Sequence, residues 1–279
     1  MRNLRVAAVQ MRSTTDVDVN LAAIEGYVAE AVGAGARYVQ TPEMSILFAA
    51  NKEGLIAAAE PFDKNRALRA LAEIARRHAV NLHIGSMAVA LGDDKFANRS
   101  VLFDPHGEIV AFYDKIHLFD ADPDNDRSYR ESATYSGGNR ALVSSVDGIK
   151  LGLSVCYDMR FPHLYRSLAN AGAEIIAVPS AFTVPTGQAH WELLLRARAV
   201  ETCCFVVASA QGGSHENGRL TYGHTMIIGP WGDILAQADG DEPGIVLADI
   251  DLDEIGRVRK KVPGLANQRS FAEADAMSK

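Results

Sequence analysis

The segment Lys150–Pro162, KLGLSVCYDMRFP, decides the fold and contains the first candidate for chemistry. Its apolar run from Leu151 to Val155 is typical of a buried strand, and the run stops at Cys156 before a helix-like segment begins. The thiol is therefore predicted at the carboxyl end of a strand, which is the edge of an open α/β sheet where ligands bind. We predict that Cys156 is a nucleophile; the alternative is an ordinary buried thiol.

Composition excludes several classes of protein. The 279 residues are 48% hydrophobic, so we expect one α/β domain over residues 1–279, with a C-terminal tail from about 262. The net charge of −7 is spread along the chain without a basic stripe, so we expect neither nucleic-acid nor membrane binding. The three cysteines, two of them adjacent at Cys203 and Cys204, suit a reducing compartment and predict a cytoplasmic protein.

The second half of the sequence repeats the plan of the first half. Residues 171–182, AGAEIIAVPSAF, match residues 33–45, GAGARYVQTPEMS, and each half also contains a hairpin around a Pro-x-Gly turn. Two α/β copies favour two mixed sheets packed face to face with helices outside. We predict a four-layer αββα sandwich with internal pseudo-twofold symmetry. The predicted helices span residues 16–32, 65–78, 162–172 and 190–202.

Two charged residues occupy strand ends in this plan. Glu43 follows the strand in RYVQTPEMS, and Lys115 ends the strand IVAFYDK. Equivalent strand ends converge in a sandwich of two halves, so we expect both side chains to meet Cys156 in one pocket. Glu43 then acts as general base and acid, while Lys115 lowers the thiol pKa and stabilises the oxyanion with the backbone N–H of Tyr157. Taken alone, each charged residue has an exposed surface role as its alternative.

The polar loop from Asp120 to Asn139 permits two interpretations. Its acidic residues have the spacing of a calcium-binding loop. However, Asn125 stands where that loop needs glycine, and the flanking segments are not helical. We therefore predict no metal site and expect Glu131 to be a second active-site carboxylate that holds Lys115. The acidic residues are Asp120, Asp122, Asp124, Asp126 and Glu131.

Arg160 lies four residues after the candidate nucleophile. Its planar guanidinium suits a substrate carboxylate, and the alternative is a salt bridge to Asp158. His190 and His224 have no metal-binding spacing, and His190 lies at the predicted start of a helix. We expect both histidines to be structural.

Three motifs resemble the nitrilase, or carbon-nitrogen hydrolase, superfamily: TPEM around Glu43, YDKIHLFD around Lys115 and SVCYDMRFP around Cys156. The resemblance covers nearly the whole chain. It implies an αββα sandwich, catalytic Glu43, Lys115 and Cys156, a second glutamate at Glu131, and no metal or organic cofactor. It also implies a homodimer built on the helices after Cys156 and after Pro185, or a higher homo-oligomer.

Within that superfamily, AHWELLLRARAVET, YGHTMIIGPWG and RESATYSGG are most similar to the deaminated glutathione amidases. The similarity implies hydrolysis of deaminated glutathione to 2-oxoglutarate and cysteinylglycine through a thioester. The near relatives are the omega-amidases, which act on 2-oxoglutaramate or 2-oxosuccinamate, and another small amide or a nitrile is a further alternative. Arg160 would bind the 2-oxo acid end beside Tyr157, and Phe182 and Thr183 would shape the acyl pocket.

Two hypotheses from other classes stay open on the sequence alone. One is a binding or scaffold protein that has kept the sandwich and lost catalysis, although the complete set of three candidate residues argues against it. The other is a calcium-dependent module that uses the loop from Asp120 to Glu131. Detection of an acyl adduct on Cys156 separates an enzyme from the first, and activity in the presence of a chelator separates it from the second.

Overall fold

The structure, a computed structural model, describes residues 2–123 and 128–272 of the chain. In this part no helix has the length and apolar character needed to cross a membrane. The helices are α1 Val17–Gly33, α2 Lys52–Ala58, α3 Arg66–His78, α4 Pro162–Asn170, α5 Val184–Thr202 and α6 Asp253–Lys261. The strands are β1 Asn3–Gln10, β2 Tyr38–Gln40, β3 Asn81–Gly92, β4 Lys95–Phe103, β5 Ile109–Asp114, β6 Asp120–Ala121, β7 Tyr129–Arg130, β8 Leu142–Val146, β9 Ile149–Leu153, β10 Ile175–Ala177, β11 Phe205–Ala208, β12 Gly212–Ser214, β13 Leu220–Tyr222, β14 Met226–Ile228, β15 Ile234–Gln237 and β16 Gly244–Asp251.

Two six-stranded mixed sheets form the centre of the molecule. Their strand orders are β16-β1-β2-β3-β4-β5 and β15-β14-β11-β10-β9-β8. In each sheet three neighbouring strands are parallel, β1-β2-β3 in one and β9-β10-β11 in the other, and the outer strands are antiparallel. The two sheets thus have the same order and the same directions. The twofold axis predicted to relate them stays a prediction.

The helices cover the outer faces of the sheets, and the inner faces pack on each other. Alternation along β1 shows this arrangement, because Val6 and Ala8 belong to the core between the sheets while Ala7 and Val9 face α1 and α3. On the other side α4 and α5 pack against β9 and β11. Hydrogen bonds also join the sheets: the Gln40 side-chain amide donates to the Val207 carbonyl at 3.0 Å. The αββα sandwich predicted from the sequence is confirmed.

Helix α5 is longer than predicted. It begins at Val184, six residues before the predicted start, so the prediction that His190 lies at a helix start is wrong. The residues before His190 resemble a loop in sequence, yet Pro185 is tolerated in the first turn of a helix. Gly187 is required by packing, because a Cβ there would lie 2.1 Å from Cγ of Tyr222.

Long-range pairing creates strands that local pattern does not predict. Gly244–Asp251 forms β16, which pairs along the whole of β1 at the other end of the chain. The segment between Ser209 and His224 folds into the hairpin β12-β13. The terminal region contains α6 and is described as far as residue 272, so the rest of the predicted tail lies outside the described residues.

Candidate active site

The predicted site residues meet at one cavity of about 330 Å³. The cavity lies where strands of both sheets end, which is the edge expected for a site in an α/β fold. Every side chain named above as catalytic or substrate-binding lines it. These residues are Glu43, Lys115, Glu131, Cys156, Tyr157, Arg160, Phe182 and Thr183.

The turn that carries Glu43 rests on an irregular part of β3. Beyond the end of β2, the N–H of Gly85 donates to Oγ1 of Thr41 at 3.0 Å, and the N–H of Met44 donates to Oγ of Ser86 at 2.9 Å. Met44 has a left-handed backbone with φ of 56°. Hydrogen bonds to β3 therefore fix the turn both before and after Glu43, and the turn directs the Glu43 carboxylate into the cavity.

Cys156 opens a 3-10 turn just beyond β9. Its backbone is left-handed, with φ of 49°, and its N–H donates to the Pro179 carbonyl at 2.9 Å. A residue with a β-carbon is strained in this conformation, and such strain persists where the surroundings fix the chain. The turn places the thiol at the cavity surface, where 8% of the residue is exposed.

Asp158 ties the Cys156 turn to the segment that carries Lys115. One carboxylate oxygen accepts from the N–H of His117 at 3.0 Å and from its Nδ1 at 2.7 Å. The other oxygen accepts from the Tyr113 hydroxyl at 2.7 Å and from the Val155 N–H at 2.9 Å. Asp158 is fully buried. These bonds fix the position of Lys115 relative to Cys156.

Lys115 lies between two carboxylates. Its Nζ is 2.9 Å from Oε1 of Glu43 and 2.8 Å from Oε2 of Glu131. The Asn98 side-chain amide donates to the same two carboxylates, at 2.9 and 3.0 Å. The Phe119 N–H donates to Glu131 at 2.7 Å. Because a lysine ammonium has three N–H donors, one donor remains for a substrate oxygen.

Burial and charge oppose each other in this cluster. Burial alone raises the pKa of Glu43, but the charge of Lys115 and the hydrogen bonds from Lys115, Cys156 and Asn98 together outweigh it and hold that pKa below its usual value. Burial alone lowers the pKa of Lys115, and the carboxylates of Glu131 and Glu43 reverse this and hold it well above its usual value. Glu43 and Lys115 are therefore both charged at neutral pH.

The Cys156 thiol is neutral in the resting site. Burial raises its pKa, the Glu43 carboxylate raises it further, and Lys115 lowers it by less than these two together. Lys115 lowers the thiol pKa, as predicted, but burial and the Glu43 carboxylate raise it by more. Since the thiolate is the nucleophile, the proton has to leave as the sulfur attacks, and Glu43 is the adjacent acceptor.

Arg160 lines the cavity beside Tyr157 and Phe182. Its guanidinium carbon lies 5.9 Å from the Tyr157 ring centre and 5.7 Å from that of Phe182, and Nη2 is 3.2 Å from Nδ1 of His190. Among the described residues Arg160 forms no ion pair, so the alternative of a salt bridge to Asp158 is not seen. Its remaining donors can bind a ligand.

The acidic loop uses its carboxylates in separate protein contacts. Asp120 accepts from Ser132, and Asp122 pairs with Arg130 at 2.9 Å. Asp124, Asn125 and Asp126 of the calcium-loop alternative lie outside the described residues. Within residues 2–123 and 128–272, no group of three or more His, Cys, Asp or Glu side chains is placed to hold a metal ion.

Two residues that contribute to the site, Asn98 and Arg219, were not predicted from the sequence. Asn98 bridges both glutamates from β4, and a polar residue inside an apolar strand was the available signal. Arg219 lines the cavity from the β12-β13 hairpin. No local signal marks Arg219, because the hairpin reaches the site only through tertiary contacts.

Replacing Gly85 with alanine is expected to disturb both halves of the site. A Cβ there would lie 2.6 Å from the Pro42 carbonyl oxygen and 2.4 Å from Cβ of Pro179, next to Glu43 on one side and to the Cys156 turn on the other. We expect a loss of about 1–3 kcal/mol of stability and a fall in kcat. Thermal denaturation and steady-state kinetics measure both. Gly26→Ala is the control, since its Cβ would meet nothing within 4 Å. A Gly85→Ala enzyme with the melting temperature and kcat of the wild type would contradict the packing argument.

The chain is similar to known proteins over nearly its whole length. A family model described as carbon-nitrogen hydrolase matches residues 5–260. A Yersinia enterocolitica protein named deaminated glutathione amidase is 41% identical over 272 residues, covering 96% of this chain and 94% of that protein. The solved C. elegans NITFHIT protein has a TM-score of 0.88 at 33% identity, covering 96% of this chain and only 65% of that longer one. A variant of the amidase from Nesterenkonia sp. AN1, solved with acrylamide added at its active-site cysteine, has a TM-score of 0.78 at 28% identity, covering 93% of this chain and 98% of that one.

Proposed function

The chain belongs to the carbon-nitrogen hydrolase family and hydrolyses carbon-nitrogen bonds outside peptides, and from that premise we propose that it is an amidase for deaminated glutathione. The observation that carries the proposal is the cluster of Glu43, Lys115 and Glu131 in one cavity with Cys156. Glu43 supplies a base, Lys115 supplies an ammonium that can bind an oxyanion, and Cys156 supplies the nucleophile. The name of the Yersinia enterocolitica relative supports the substrate.

In the first half of the proposed reaction the enzyme is acylated. The Cys156 sulfur attacks the amide carbon while its proton moves to Glu43, and the carbonyl oxygen becomes an oxyanion. The free N–H of Lys115 and the backbone N–H of Tyr157 stabilise this charge. Glu43 then gives the proton to the amide nitrogen, and the carbon-nitrogen bond breaks. The amine departs, and the acyl group stays on Cys156 as a thioester.

In the second half water releases the acyl group. Glu43 takes a proton from the water, whose oxygen attacks the thioester carbon. The carbon-sulfur bond breaks, the proton returns to the sulfur, and a carboxylic acid leaves. For deaminated glutathione the products are cysteinylglycine and 2-oxoglutarate. The same carboxylate thus serves both halves, and Glu131 with Asn98 holds Lys115 and Glu43 in place.

The charge of the cavity supports an anionic substrate. Lys52, Arg160 and Arg219 line it, and none of them pairs with a carboxylate of the described residues, although the chain as a whole is acidic. Deaminated glutathione has a carboxylate at each end. Arg160 would bind the 2-oxo acid end, and Phe182 and Thr183 would line the acyl chain.

Specificity constants decide between the two closest substrate classes. We expect kcat/KM for deaminated glutathione to exceed that for 2-oxoglutaramate, because the first substrate offers a second carboxylate to the cavity. Both reactions are followed through release of 2-oxoglutarate. A higher value for 2-oxoglutaramate would assign the enzyme to the omega-amidases instead.

The homodimer implied by the resemblance is also a proposal. Leu193 and Val200 of α5 are 67% and 52% exposed, and their spacing of seven residues places them on one face of the helix. Exposed apolar side chains grouped on one face are typical of a contact surface. Sedimentation equilibrium is expected to give twice the chain mass of 30.1 kDa, and a monomer at micromolar concentration would contradict the proposal.

We further propose a cytoplasmic location. Cys156, Cys203 and Cys204 are all free in the structure. Free thiols persist in reducing compartments, and the proposed chemistry needs one of them reduced. Fractionation of cells that express the chain tests this location.

A further inference from the structure

Arg219 lines the cavity and packs against two aromatic rings. It lies just before β13, and its guanidinium carbon is 4.6 Å from the ring centre of Phe48 and 5.6 Å from that of Tyr129. Its Nη2 donates to the Ala181 carbonyl at 3.4 Å. Aromatic faces orient a guanidinium without using its hydrogen-bond donors.

Most of these donors have no partner in the described part of the chain. A guanidinium has five N–H donors, and a single long hydrogen bond uses one of them. The Nε of Arg219 is buried without a hydrogen-bond partner, and no carboxylate of residues 2–123 or 128–272 forms an ion pair with it. A buried N–H donor without a hydrogen-bond partner is unfavourable. The arrangement suits an anionic group supplied by a ligand.

The position of Arg219 relative to Glu43 indicates which end of the substrate it meets. The Ala181 N–H donates to Oε2 of Glu43 at 2.9 Å, and the carbonyl of the same residue accepts from Arg219. Phe48, which stacks on Arg219, follows Glu43 by five residues. Glu43 is the group that protonates the departing nitrogen, so the amine leaves on the side of the cavity where Arg219 lies.

Arg160 and Arg219 lie at the two ends of a series of touching rings. Arg219 contacts Tyr129, whose ring centre is 5.3 Å from that of Phe119. Phe119 is 5.0 Å from Tyr157, and Tyr157 contacts Arg160. The two guanidiniums therefore have separate aromatic supports and can bind separate anions.

We propose that Arg219 is a specificity-determining residue that binds a carboxylate on the departing amine. The site would then select amides whose amine part is an amino acid or short peptide with a free C-terminal carboxylate. Primary amides, which release ammonia, have no group for Arg219. This inference rests on the proposed function and adds a residue and a selection rule to it.

Two substrates that differ in one charge test the inference. One is deaminated glutathione, and the other is the same molecule with its C-terminal carboxylate converted to a carboxamide. For the wild-type enzyme we expect kcat/KM to favour the carboxylate by about 30-fold or more, the effect of a charge paired away from water. Arg219→Gln is expected to bring this ratio close to one, and Arg219→Lys to restore part of it, since lysine keeps the charge without the planar fork.

Arg160→Gln is the matched control. Both substrates have the same acyl end, so loss of Arg160 is expected to lower kcat/KM for both substrates by the same factor and to keep the ratio of the two kcat/KM values. The ratio does not depend on the fraction of folded enzyme, because each preparation is assayed with both substrates. A ratio near one in the wild type, or an unchanged ratio in Arg219→Gln, would overturn the inference while leaving the proposed function standing. No wild-type turnover of either substrate would overturn both.

Discussion

Cys156→Ala is expected to abolish amide hydrolysis while leaving the fold intact. The variant lacks the only atom that forms the acyl bond in the proposed reaction, and loss of a nucleophile that acts as a unit with its base costs about 10⁵- to 10⁶-fold in rate. Alanine also has a β-carbon, so the left-handed backbone at this position is no more strained than before. We expect a melting temperature close to that of the wild type.

Intact mass spectrometry and a matched thiol variant complete this test. Wild-type enzyme quenched during turnover is expected to have a mass increase equal to the acyl group, and Cys156→Ala no increase. Cys203→Ala is the control, because Cys203 is a buried cysteine outside the cavity. Residual turnover in Cys156→Ala above about one thousandth of the wild-type rate would remove the covalent mechanism.

Lys115→Met is expected to cost about two to four orders of magnitude in kcat, through loss of oxyanion stabilisation. Methionine fills a similar volume without the charge. The change also removes the hydrogen bonds that hold Glu43 and Glu131 together. Steady-state kinetics with deaminated glutathione measures the loss, and the exposed Lys64→Met is the control. Activity within tenfold of wild type would exclude the assigned role.

The stability of the wild type and that of Lys115→Met are expected to depend differently on pH. In the wild type the Lys115 pKa is raised, so its contribution is fully present below the unfolded value of about 10.4 and is lost as the pH rises through the folded pKa. The Glu43 pKa is lowered, so its contribution is present above about 4.3 and is lost as the pH falls through the folded pKa. The cluster therefore stabilises the wild type across neutral pH.

Without Lys115, the burial that raises the Glu43 pKa is no longer opposed by a cation. The folded variant then takes up a proton more readily than the unfolded chain, so acidification from pH 8 to pH 5 is expected to raise its melting temperature. The wild type is expected to change little over the same interval. Thermal denaturation at several pH values measures this difference, and parallel curves for the two proteins would contradict it.

Strand ends could be predicted from the sequence because they depend on local pattern. The apolar run before Cys156 and the short strand before Glu43 can each be recognised within about ten residues, and the packing of the two sheets then brings their ends together. The placement of Glu131 beside Lys115 was expected as the alternative to a calcium-binding loop, and the family resemblance implied the same position. Nothing local distinguishes Glu131 from the other acidic residues of its loop.

What could not be predicted depends on contacts between distant parts of the chain. Strand β16 pairs with β1 from the other end of the chain, and the first turns of α5 place Gly187 against Tyr222. The net pKa shift of Cys156 also needed the structure, since it is set by how deeply the thiol is buried against Glu43. A sequence shows which charges are present but not how much water surrounds them.

The close approach at Gly85 links the chemistry of the protein to the spacing of its layers. The turn before Glu43 follows a strand of one sheet, and Pro179 follows a strand of the other. Gly85 lies against both, and its lack of a side chain allows this close approach. A change anywhere in the core that widens or narrows the gap between the sheets will therefore alter the distance from base to sulfur. Core substitutions chosen to raise the melting temperature of this enzyme are therefore expected to change its catalytic rate as well.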